Sequence, residues 1–69
     1  MRTERVFWKD VKAGQGIVGY NDGYRFRSIN AIVEFISPDK TILNMMDGVP
    51  LSYPTVTDRP AFEIEVSDD

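Results

Sequence analysis

The chain contains no cysteine and no histidine. That double absence removes disulfides, the thiolate nucleophile, the commonest general base and the usual ligands of zinc and other transition metals. Long apolar runs are missing too. The longest are only a few residues, and the basic start Met1-Arg2-Thr3-Glu4-Arg5 has no stretch of signal-peptide length behind it, so neither a cleaved export signal nor a membrane span is expected. A cysteine-free chain fits a reducing compartment, which makes the cytoplasm the expected location.

What remains is a single domain of 69 residues. At that size folding buries only about 60% of the surface of the extended chain, so the core is thin. Without disulfide or metal staples, stability has to come from apolar packing or from oligomerisation. The net charge of −3 conceals a division: residues 1–27 carry six basic and three acidic side chains, and residues 28–69 carry two basic and eight acidic ones. A partner senses such a local field and not the sum, so the division is either a steering device or simply a solvated acidic face.

Turn signals recur at short intervals, as in a chain of short strands, and only Val6-Phe7-Trp8 with Val11 approaches helical spacing. Residues 5–9 therefore read as a first strand, with one turn of helix as the alternative. Two closely spaced glycines make residues 10–16 a loop, and Ile17-Val18-Gly19-Tyr20 the next strand. Asn21-Asp22-Gly23 is a tight hairpin signal. Residues 24–36 form one long bent strand or two strands broken near residues 28–30. Ser37-Pro38-Asp39-Lys40 suits a turn with proline at its second position. After residues 41–46, Asp47-Gly48 has the composition of a two-residue hairpin, and Pro50 and Pro54 push the following segment to a sheet edge. Asp58-Arg59-Pro60 marks another turn. Phe62, Ile64 and Val66 then alternate with Glu63 and Glu65, as in a strand with one wet face. Ser67-Asp68-Asp69 reads as a frayed acidic tail. The expected fold is all-β: five or six short antiparallel strands in a small, strongly bent sheet or a partly open barrel, closer in size to an SH3-like than to an OB-like barrel.

Catalysis would have to rest on carboxylates, and a thin domain offers little room for the cleft that raises a carboxyl pKa. Glu63 and Glu65 project to the same side about 7 Å apart, but an acidic outer face is also an ordinary guard against sheet-edge aggregation. Gly14, Gly16 and Gly19 match the spacing of a dinucleotide fingerprint, yet a hairpin turn follows them where that motif needs a helix. No enzyme, cofactor or metal is expected.

Two surfaces stand out. The first is an aromatic and basic hairpin, Tyr20, Tyr24, Arg25, Phe26 and Arg27, extended by Trp8. Rings stack on bases and guanidinium groups neutralise phosphates, so these residues suit a single-stranded nucleic acid. Against this, period-2 geometry turns Arg25 and Arg27 away from Tyr24 and Phe26, and the sequence pI of about 4.7 is that of an acidic protein. The second surface is the hairpin of residues 29–46, whose strands are apolar in both phases. Ile29, Ala31, Val33, Phe35, Leu43 and Met45 share one face; Ile32, Ile36, Ile42 and Met46 share the other, beside Glu34. One face is core, and the other is closed over by the barrel or covered by a partner. The leading expectation is a non-catalytic protein-binding module, an adaptor or inhibitor of the kind found among phage and mobile-element accessory proteins. It would self-associate, with Ile32, Glu34, Ile36, Ile42, Met46, Glu63 and Glu65 at its interface. A small single-strand-binding barrel is the alternative.

Overall fold

A computed structural model describes residues 2–45 and 48–67. Six strands, β1 (Arg2–Val6), β2 (Gly16–Asn21), β3 (Phe26–Ile36), β4 (Thr41–Met45), β5 (Pro50–Tyr53) and β6 (Phe62–Val66), form one antiparallel sheet in the order β1-β6-β2-β3-β4-β5. The first strand begins and ends earlier than the sequence pattern suggests. Trp8–Asp10 follows it as a single 3-10 turn, so both readings of that segment hold in part.

Two connections are built by side chains that imitate backbone. In the β2–β3 turn the Asn21 Oδ1 accepts the Gly23 N–H at 2.8 Å, and the Asp22 Oδ1 accepts the N–H groups of Tyr24 and Arg25 at 2.8 and 3.0 Å. Gly23 takes a φ of +100°, the left-handed region that glycine enters without steric cost. Ser37 organises the β3–β4 turn in the same way, its Oγ accepting from the amides of Asp39 and Lys40. Asp47 of the expected Asp47-Gly48 turn lies outside the described residues. On either side of it Met45 donates to the carbonyl of Val49, and the β4–β5 ladder runs as far as the pair Asn44 and Pro50.

The sheet is its own core. Tyr20 on β2 and Tyr53 on β5 bring their ring centroids to 5.0 Å, although their strands stand three places apart, about 14 Å in a flat sheet. Curling of that degree folds one face inward over Val11, Ile17, Ala31, Val33, Leu43, Ala61 and Phe62, but β1 and β5 do not pair and the barrel stays open. The connection from β5 to β6 crosses one end. Thr55 donates to the Ser37 carbonyl and is joined by the hydroxyl of buried Thr41, each at 2.7 Å, and Ala61 bonds both Val6 and Asn21. Chiefly through burial, the Tyr53 phenol is held above its ordinary pKa of 10.0 and stays neutral.

Curvature is set where strand alternation breaks. Ile17 and Tyr20 are three apart and would point to opposite faces of a regular strand, yet both are core; the β2–β3 register shifts between Ile17 and Gly19. On β3, Val33 and Ile36 are likewise three apart and both face inward, because the register against β4 shifts at Glu34. β3 is thus one long strand with two irregularities, each adding bend and twist.

Gly19 lies where β2 is paired on both sides, with Ser28 of β3 and Glu63 of β6. A Cβ there would stand 3.2 Å from the Arg27 carbonyl oxygen and 3.2 Å from the Cβ of Glu63. Gly19→Val should therefore destabilise the domain by about 1–3 kcal/mol, since its methyl groups collide with backbone and with the Glu63 stem. Urea unfolding checks this, and a midpoint unchanged from wild type would show that the β2–β6 contact is looser than described.

Candidate functional site

The bulge at Glu34 determines what the β3–β4 hairpin shows to solvent. Val33 pairs with Leu43 and both are fully buried, whereas past the bulge Phe35 pairs with Ile42 and Ile36 with buried Thr41. Phe35, placed by simple alternation on the inner face, is thereby turned outward. Ile36 packs against the core and leaves the predicted interface. Ile32 and Phe35 are 46% and 44% exposed, with half-buried Ile42 beside Phe35 and exposed Glu34 between the two on β3. The Lys40 ammonium sits 5.6 Å from the centre of the Phe35 ring. Met46, expected on this face, lies outside the described residues, as do Asp68 and Asp69 of the expected tail.

Of the two β6 glutamates expected at an interface, only Glu65 has an exposed and unengaged side chain. Glu63 accepts from the Thr3 hydroxyl at 2.9 Å and from the Arg5 Nε at 3.2 Å. The Arg5 guanidinium also lies 4.0 Å from the centre of the Phe26 ring, so Phe26, Arg5 and Glu63 form one stacked cluster beside Gly19. Glu65 makes no hydrogen bond or ion pair among the described residues.

Glu65 instead lines a cleft that the sequence pattern did not disclose. β6 pairs with β2 only at Gly19–Glu63 and Tyr20–Phe62, and continues along β1 through Ile64, Glu65 and Val66. Where the two strands part, residues 15–18 and 30–32 and the pair Ile64 and Glu65 surround an open cavity of about 490 Å³. Its walls are mainly apolar, and Ile32 connects it to the exposed face of β3.

The aromatic-basic hairpin is taken apart by folding. Tyr20 is a core residue, and half-buried Trp8 packs against the core. Arg27 is bound to the carboxylate of Asp22, and half-buried Phe26 is capped by Arg5. Tyr24, 95% exposed, and Arg25 stay in solvent at the turn. Among the described residues, no three acidic side chains converge on a point that could hold a metal ion. The chain matches no protein-family model, no curated protein and no solved structure, and the reading of its surface rests on geometry.

Asp22 links the turn to β3. Its hydrogen bond with Arg27, followed by those from the Arg25 and Tyr24 amides, holds its carboxyl well below the ordinary value of 3.8. A depressed carboxyl pKa contributes stability that is complete above the unfolded value and is lost as pH falls through the folded one. Asp22→Asn keeps the oxygen that caps the turn and removes the charge. The wild type should be the more stable at pH 7, and its lead should shrink as pH falls below about 4. Equal urea midpoint differences at pH 7 and at about pH 2.5 would refute this role.

Proposed function

We propose that this chain is a non-catalytic protein-binding module, an adaptor or inhibitor, and that it works through the outer face of the β3–β4 hairpin and also uses that face to self-associate. The observation that carries this reading is the outward turn of Phe35 at the Glu34 bulge. A domain with so thin a core has placed a large ring, and Ile32 on the same strand, in water with Ile42 alongside. With more than half of Ile32 and of Phe35 already covered, completing their burial is worth about 1 kcal/mol apiece. Lys40 and Glu34 supply opposite charges beside the apolar surface, the usual arrangement of a polar rim around a contact. The absence of histidine and cysteine supports the non-catalytic part. The cytoplasm is the compartment that suits a chain without disulfides.

Phe35→Asp and Ile32→Asp should leave the circular dichroism spectrum intact, because neither side chain is in the core. In sedimentation velocity the wild type is expected to gain mass with concentration, and both variants to remain monomeric. A wild type that is monomeric throughout removes self-association, and a native partner retained at equal affinity by both variants removes the interface itself.

A further inference from the structure

At the cleft between β2 and β6 two strands of the sheet begin a ladder and do not complete it. In continuing register, residues 16–18 of β2 would face residues 64–66 of β6. Instead the first group keeps only β3 as a neighbour and the second only β1. Two strand flanks therefore look at each other across a space of about 490 Å³, within the range of cavities that hold a small ligand. An extended peptide is the natural occupant of a gap in a ladder, since its main chain supplies the missing hydrogen bonds and its alternate side chains enter pockets. Gly16 leaves room at the wall: a Cβ there would come no nearer than 3.9 Å to the Ala31 carbonyl oxygen.

Charge selects among such peptides. Glu65 is the only ionisable residue lining the cleft, it is exposed, and no cation satisfies it among the described residues. Its neighbour Glu63, by contrast, is already held by Thr3 and Arg5. We propose that the cleft binds a short extended segment of a partner protein as an added strand. An aliphatic side chain of that segment rests on Ile17 and Ile64, and a lysine or arginine meets Glu65. The proposal rests on the protein-binding reading above and specifies the chemistry of one partner segment.

The test is an NMR titration of the ¹⁵N-labelled protein with capped peptides of alternating valine and lysine, of alternating valine and glutamate, and of valine and lysine interrupted by proline. Saturable shifts of the Gly16, Ile17, Ile64 and Glu65 amides are expected with the first peptide and not with the other two. Glu65→Lys should reverse the preference between the lysine and glutamate peptides. Glu65→Gln, the milder change, should weaken the lysine peptide several-fold and guards against a misfolded charge reversal. Cleft amides that stay unmoved up to about 5 mM peptide, where millimolar binding is visible, overturn the proposal. So do shifts centred on Phe35 and Ile42, or equal affinity for all three peptides. Phe35→Asp should leave this titration unchanged. If the cleft stays silent while Phe35→Asp still abolishes self-association, the cleft assignment alone falls.

Discussion

A single sheet that must serve as its own core cannot be built from regular strands, and everything else here follows from that constraint. Regular alternation would send one member of each of two inward-facing pairs on β2 and β3 to the wrong side. Ile17 with Tyr20, and Val33 with Ile36, reach one interior only because the register shifts between the members of each pair. The same irregularities supply the curvature that brings Tyr20 against Tyr53. They also have a cost at the surface: a bulge that recovers Ile36 for the core must expose Phe35. Core and candidate interface are thus two outcomes of one local event at Glu34.

The division of charge along the chain is partly consumed by folding. Arg5 from the basic half meets Glu63 from the acidic half and joins β1 to β6, and it covers the ring of Phe26 at the same time. Arg27 is taken by Asp22 within its own turn, and Arg59 by Asp58 next to it. Pairs as exposed as these contribute little stability individually. Their effect on the surface is larger, because what they leave unmatched is not the −3 spread over the molecule but particular groups, Glu65 above all.

Local chemistry was legible in the sequence, and long-range pairing was not. The turns at Asn21-Asp22-Gly23 and Ser37-Pro38-Asp39-Lys40 were readable because their side chains bond their own backbone, and β6 because Phe62 and Ile64 alternate against Glu63 and Glu65. The all-β class followed from those signals. The inner placement of Val33 and Leu43 was also visible, but the Phe35–Ile36 exchange was not, since a bulge carries no composition of its own here and period-2 counting assumes that none exists. Tyr20 and Trp8 looked available because aromatic type does not distinguish core from contact. The cleft was out of reach altogether. It depends on how far β6 accompanies β2, which is settled by partners more than forty residues apart along the chain.

The outermost strand β1 has a further consequence. It is the first element of the sequence, yet its only ladder partner is β6, and the Thr3–Glu63 hydrogen bond closes a loop of 60 residues. The meander from β2 to β5 pairs sequence neighbours, whereas β1 pairs across nearly the whole span to β6. Loop closure of that length makes its docking a late event and slows completion of the fold.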